Sequence, residues 1–164
     1  MDELLLQQKA AKVKLVLTDS DGVLTDNGVY YGEHGEVMKR FSIRDGMGVE
    51  RLRNIGIETG IITGETSPSV RTRAAKLKIT ELHLGIKDKA SLFKQILEAK
   101  KLTADEVAYI GDDVNDLGIM TLTGFTACPA DAMPQVTRRV DYICKNNGGH
   151  GAFRELAEYI IAAQ

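Results

Sequence analysis

Residues 13–26 read VKLVLTDSDGVLTD, an apolar run (Val13, Leu15, Val16, Leu17) that stops at Asp19-Ser20-Asp21-Gly22. The run predicts a buried strand, and two carboxylates one residue apart lie just past its end. Like charges this close do not both stay ionised unless a cation lies beside them. A divalent ion is the natural compensation, and oxygen-only donors point to Mg²⁺. An Asp-rich turn after a strand is the plain alternative, so the decision falls to the rest of the chain.

Downstream, strand and helix signals alternate. Gly28 to Phe41 reads as a hairpin with its turn at Gly32-Glu33-His34-Gly35. Asp45 is placed to cap a helix carrying Val49 and Leu52 on one face and ending near Asn54 and Gly56. Ile57 to Ile62 is the next strand and runs into Thr63-Gly64; Ser67-Pro68 then opens a helix as N-cap and first-turn proline. Glu81 to Gly85 reads as a weaker strand, Asp88 as the cap of a helix with Leu92, Phe93, Ile96 and Leu97 in one stripe, and Thr103 with Glu106 as a capping box. Val107 to Ile110 is a strand ending in Gly111-Asp112-Asp113, with a helix from Asp116. Phe125 to Cys128, a helix begun by Pro134, Tyr142 to Cys144 and a helix from Gly151 complete the pattern. Such alternation predicts an α/β fold with a doubly wound, Rossmann-like parallel sheet and ligands at the carboxyl ends of its strands.

The 164 residues fit one domain, with no repeat or linker. A formal net charge of −2 gives no support for nucleic-acid binding or a polybasic membrane surface. No stretch approaches the roughly 20 apolar residues of a membrane span, and MDELLLQQKAAK at the start is too polar for a signal peptide. A cytoplasmic location is expected. Cys128 and Cys144 sit in apolar runs and read as small core residues.

Asp19-x-Asp21, Thr63, Lys89 and Gly111-Asp112-Asp113-x-x-Asp116 all fall just beyond a strand end or at a helix start. A parallel sheet brings such positions to one edge. Several carboxylates for one hard cation, a hydroxyl and an ammonium suit phosphoryl transfer, where catalysis is mostly positioning and charge neutralisation. Each alone has an ordinary reading: Thr63 as a turn residue, Lys89 as a solvated helix lysine, the acids at 112–116 as an N-cap cluster. An EF-hand is excluded by the position of Gly22 and the lack of a closing Glu.

DSDGVLTD, IITG, a lone downstream lysine and GDDVND resemble motifs I to IV of the haloacid dehalogenase superfamily. Within it, the chain is similar to small capless phosphatases acting on phosphates of 3-deoxy-2-keto sugar acids. The likeness extends through FSIRDGMGV, the hairpin (about 28–41) and the tail (about 146–164). The resemblance implies one domain over 1–164, Asp19 as nucleophile and Asp21 as general acid and base. It implies Mg²⁺ held by Asp19, the Asp21 carbonyl and Asp112, with Asp113 and Asp116 orienting Lys89 and the metal's waters. Thr63 and Lys89 would hold the phosphoryl oxygens. It also implies a homotetramer in which hairpins meet and a neighbour completes the pocket, because neither gap between motifs has room for a cap.

The substrate pocket is expected to draw on Thr63, Gly64, Glu65, Arg71, Lys76, Lys89 and Arg154. The glycine-rich 148–151 stretch reads either as a mobile lid, with Arg154 gripping a carboxylate, or as a turn before the last helix. Members acting on the octulosonate 8-phosphate usually carry Arg after the motif II glycine, where this chain has Glu65. Glu65 with Lys76 resembles the branch acting on nine-carbon acids, ketodeoxynononate or N-acylneuraminate 9-phosphate. The expectation therefore leans to a nine-carbon substrate, with the eight-carbon one as alternative. His34 and His83 read as surface residues and His150 as a pocket contact. From another class, a receiver-type phospho-acceptor module also uses Mg²⁺, Asp, Thr and Lys, but would need its acceptor Asp after a middle strand.

Overall fold

The computed structural model describes residues 2–164. Six parallel strands form one sheet: β1 (Leu15–Thr18), β4 (Glu58–Ile62), β5 (Glu81–His83), β6 (Val107–Ile110), β7 (Phe125–Cys128) and β8 (Tyr142–Ile143). Their spatial order is β5-β4-β1-β6-β7-β8, so β1 lies between β4 and β6, and the order reverses beside it. That reversal is where open α/β sheets leave a crevice for ligands. Between β1 and β4 in sequence, β2 (Thr25–Gly32) and β3 (Gly35–Phe41) make a separate antiparallel hairpin. It begins three residues before the expected Gly28, and no cap domain accompanies it.

Apolar runs lack polar alternation because both faces of the sheet are covered. Along β1, Val16 points into one core and Leu15 and Leu17 into the other. The first core is closed by α1 (Glu3–Ala10), α2 (Ile43–Asn54), α3 (Pro68–Lys76) and α7 (Ala152–Ala163), through Leu6, Leu52, Val70, Phe153 and Leu156. The second is closed by α4 (Lys89–Lys100), α5 (Leu117–Met120) and α6 (Pro134–Thr137), through Phe93, Ile96, Ile119 and Val136.

Helix starts follow the expected chemistry with one reassignment. Ser67 accepts from the Val70 N–H and Asp88 from the Ser91 N–H, and Thr103 with Glu106 forms the capping box. The cap of α2, however, is Ser42, not Asp45. Asp45 is buried and turns away to accept from the Gly151 and Arg154 N–H groups at the start of α7. It thus satisfies the free donors of a helix more than a hundred residues later in the chain. The helix expected from Asp116 begins instead as a short 3₁₀ turn over Val114–Asp116.

Candidate active site and metal centre

The carboxyl end of β1 delivers Asp19, that of β4 Thr63, and that of β6 Asp112, while Lys89 opens α4. Strand register aligns the first three: Thr18 pairs with Ile61 on one side and Ile110 on the other. All four side chains are buried, Asp19 at 5 % exposure and Lys89 at 3 %. Gly22 sits at φ +81°, and a Cβ there would lie 2.0 Å from Asp112 Oδ2. Glycine is therefore what lets the first acidic loop close onto the second.

Lys89 Nζ stands 2.7 Å from Asp116 Oδ1, 3.2 Å from Asp19 Oδ1 and 3.2 Å from the Tyr109 hydroxyl. Burial opposes its charge, but Asp19 and Asp116 outweigh that and hold the ammonium above the usual lysine range. Burial, then the Asp116 and Asp112 charges, pushes the Asp19 carboxyl up to about 8 against the pull of Lys89 and the Ser20 N–H. Asp112 rises to about 6, chiefly by burial and despite the Asn27 hydrogen bond. Oxygens of Asp19, Asp112 and Asp116 lie within 4.8 Å of one another.

Asp116 is already fully engaged. Its Oδ1 accepts from Lys89 and, at 2.5 Å, from the Tyr109 hydroxyl; its Oδ2 accepts from the Asp112 and Asp113 N–H groups at 3.0 and 3.4 Å. It anchors Lys89 and the 112–113 turn. Asp19 and Asp112 are the carboxylates left with capacity for a cation. A hard divalent ion fits them, since it would displace the protons that burial favours and restore the ionised acids.

Around them a cavity of about 170 Å³ is lined by Asp19, Asp21, Asn27, Thr63, Gly64, Glu65, Asp112, Asp113 and Asn115. A haloacid dehalogenase-like hydrolase family model matches residues 71–156. The 3-deoxy-D-manno-octulosonate 8-phosphate phosphatase of Haemophilus influenzae is 39 % identical over 159 residues, 97 % of this chain and 88 % of that protein. This chain belongs to the haloacid dehalogenase-like hydrolase family. Its Escherichia coli K12 relative of the same name is 39 % identical over 95 % of this chain and 83 % of that protein. The Moraxella catarrhalis phosphatase of that name, solved with magnesium, phosphate and KDO, superposes with a TM-score of 0.95 at 35 % identity, covering 99 % of this chain and 94 % of that one. The cobalt-bound H. influenzae structure superposes at 0.93 with 39 % identity, covering 96 % and 92 %. The hydrolase is thus a phosphatase of haloacid dehalogenase type, not a receiver module. These relatives bear the eight-carbon name, so the lean toward a nine-carbon acid, which rested on Glu65 and Lys76, is not carried forward.

Of the residues expected from sequence, Asp19, Asp21, Thr63, Gly64, Glu65, Asp112 and Asp113 line the hydrolase's cavity, with Lys89 and Asp116 packed beneath it. Arg71, Lys76 and Arg154 do not line it. Arg71 and Lys76 are exposed on α3, and Arg154 donates to Glu158 at 2.6 Å. The expected lid is docked. The Gly149 N–H donates to the Val23 carbonyl at 2.9 Å, and a Cβ on Gly148 would fall 1.8 Å from the Gly22 carbonyl oxygen. These glycines serve close backbone approach to the first acidic loop. His150 is exposed and lines a separate pocket with Arg40 and Ser42.

Three further residues of the site carry no local signal in the sequence. Asn27, at φ +64°, donates to Asp112 Oδ2 at 3.0 Å, and the Tyr109 hydroxyl supports Asp116. Lys39, on β3, reaches both oxygens of Asp21 at 2.7 and 2.9 Å. Nothing in the local pattern pairs a strand lysine with an acid eighteen residues earlier; only the hairpin's fold-back does.

Proposed function

We propose that this hydrolase removes the phosphate of 3-deoxy-D-manno-octulosonate 8-phosphate, a primary phosphomonoester of a 2-keto sugar acid, with Mg²⁺ as cofactor. The observation that carries it is the convergence of Asp19, Thr63, Lys89 and Asp112 at one sheet edge. Near-full-length identity to proteins named for that reaction supports it.

Mg²⁺ would be held by the Asp19 and Asp112 carboxylates and the Asp21 carbonyl, and when bound it neutralises phosphate charge. Asp19 attacks phosphorus in line, the P–O bond to the sugar breaks, and Asp21 gives its proton to the leaving alkoxide oxygen. Water then attacks the aspartyl phosphate, passing a proton to Asp21, and the P–O bond to Asp19 breaks to release phosphate. Thr63 and Lys89 donate to the phosphoryl oxygens as charge redistributes. Asp116, through Lys89 and the backbone of 112–113, keeps those donors aimed.

The single domain over 1–164 leaves this site open, and completion by a neighbour in a homotetramer is part of the proposal. The hairpin supports it by exposing Tyr30, Tyr31, Val37 and Met38, at 62, 75, 58 and 54 %. Tyr30 and Met38 are cross-strand partners, and exposed apolar pairs of this kind are what association surfaces are made from. No helix among the described residues is long and apolar enough to cross a membrane, which accords with the proposed cytoplasmic location. The test is a side-by-side measurement of kcat/KM on the 8-phosphate and on nine-carbon 9-phosphates in Mg²⁺. Preference for the 8-phosphate is expected, and preference for a 9-phosphate would overturn the substrate assignment.

A further inference from the structure

Lys39 is unusual for a hairpin lysine. Its side chain is only 1 % exposed, while the Asp21 carboxylate it grips is 22 % exposed and faces the substrate cavity. Both Asp21 oxygens are engaged by the one ammonium. Behind it, Glu36 Oε2 stands 3.6 Å away, and Glu36 Oε1 accepts from the Ser67 hydroxyl at 2.5 Å. Ser67 is the N-cap of α3, the helix that follows Thr63. Burial works against the Glu36 charge, but hydrogen bonds from Ser67 and Ser69 and the Lys39 ammonium hold its carboxyl below the usual range. A chain of contacts therefore runs from Asp21 through Lys39 and Glu36 to the loop that carries Thr63.

A buried ion pair is a poor device for stability, because desolvation consumes most of the Coulomb gain and an apolar residue does as well. A buried pair does hold a partly exposed carboxylate in one orientation. We infer that Lys39 is a positioning residue for Asp21: it fixes the plane of the carboxyl, one oxygen keeping the contact with the ammonium while the other carries the proton to the leaving oxygen of the sugar phosphate. The inference rests on the proposed role of Asp21 and deepens it. In free solvent an aspartate of this exposure would sample several rotamers, and general-acid catalysis requires the donor within hydrogen-bond reach of one oxygen.

Leaving groups separate positioning from mere support of the hairpin. A sugar alkoxide needs a proton to depart, whereas p-nitrophenolate leaves without one. For both substrates kcat/KM reports steps through P–O cleavage, so the later hydrolysis of the aspartyl phosphate, common to both, does not enter. The experiment compares wild type, Lys39→Met and Lys39→Arg, as full-length protein with saturating Mg²⁺, on octulosonate 8-phosphate and p-nitrophenyl phosphate. Lys39→Met is expected to lose about 10²-fold on the sugar phosphate, the lower range of general-acid effects, and at least about tenfold less on the aryl phosphate. The sugar-phosphate loss should lie in kcat rather than KM, and Lys39→Arg, which keeps a cationic donor, should recover part of it. If Lys39→Met does not fold, Lys39→Gln, uncharged and too short to reach both oxygens, is expected to show the same selective loss. Equal losses on the two substrates, or none, with an active wild type would overturn the Lys39 assignment alone. A wild type that hydrolyses neither would overturn the phosphatase reading and the Lys39 role with it.

Discussion

Replacing Lys89 by Met tests the electrostatic design of the site. The substitution keeps the length of the side chain but removes the positive charge from between Asp19 and Asp116, 3.2 and 2.7 Å away. Removing one partner of a buried pair costs about 3–5 kcal/mol. Protonation bounds that cost: neutralising a carboxyl of ordinary value near 3.9 at pH 7 costs about 4 kcal/mol. Burial already pushes the Asp19 carboxyl up, so proton uptake relieves part of the loss and the cost stays in the lower part of that range. A deficit of about 3–4 kcal/mol lowers Tm by about 6–16 °C for a chain of this length. The assay is thermal unfolding at fixed protomer concentration, in chelator and in Mg²⁺, together with turnover. Mg²⁺ at about a hundred times its Kd adds about 2.7 kcal/mol to the folded state. The increment should be larger in the variant, because Lys89 no longer competes for the carboxylates. Turnover should fall by at least about 10²-fold, as when a preorganised donor is removed. A variant in chelator within about 2 °C of wild type, or with an unchanged Mg²⁺ increment, would refute this account of how the acids are balanced.

Gly22→Ala should cost both stability and metal affinity, since its Cβ would collide with Asp112 at 2.0 Å in a backbone conformation L-residues avoid; Mg²⁺ titration by calorimetry reads it, and wild-type affinity would contradict it. Glu155 accepts from the Lys145 and Asn146 N–H groups and the Tyr142 hydroxyl, which outweigh burial and hold its carboxyl below 4.5. A depressed folded value means stability present above pH 4.5 and lost as the pH falls below it. The Tm gap between wild type and Glu155→Gln should therefore narrow between pH 6 and pH 3, and a constant gap would exclude the linkage. Glu65 lines the cavity, and reversing its charge probes chain-length selection; Glu65→Arg should raise kcat/KM on the 8-phosphate relative to a 9-phosphate, and an unchanged ratio would show that the position does not select.

The sheet and the acid set were legible because each rests on local rules. Apolar runs ending in Asp-x-Asp or Gly-Asp-Asp report a strand meeting a ligand crevice, and Ser67-Pro68 and Asp88 announce helix starts by side chains that cap within three residues. What escaped was non-local. Asp45 reads as a cap for its own helix, yet it serves α7 because the packing of α2 on α7 brings that helix start to it. The 148–151 glycines read equally as a mobile lid or as a turn because glycine permits both freedom and close approach, and only the docked backbone at Val23 distinguishes them. Arg154 read as a carboxylate ligand, but Glu158 one helical turn away takes its guanidinium first.

The hairpin joins these threads. Its inner side carries Lys39 and Glu36, which tie it to Asp21 and Ser67, while Arg40 donates to the Gly149 carbonyl at 2.9 Å. Tyr30 and its cross-strand partner Met38 are left uncovered. A two-stranded hairpin is marginal on its own, so its geometry depends on these few polar ties and on whatever covers the apolar side. In a hydrolase without a cap, the element inferred to orient the acid of the proposed reaction is thus also the one whose apolar residues are left uncovered. Any contact that steadies the outer residues also steadies the ammonium on Asp21, and through Glu36 the start of α3. If the proposed homotetramer forms, assembly and proton delivery become two consequences of seating the same pair of strands.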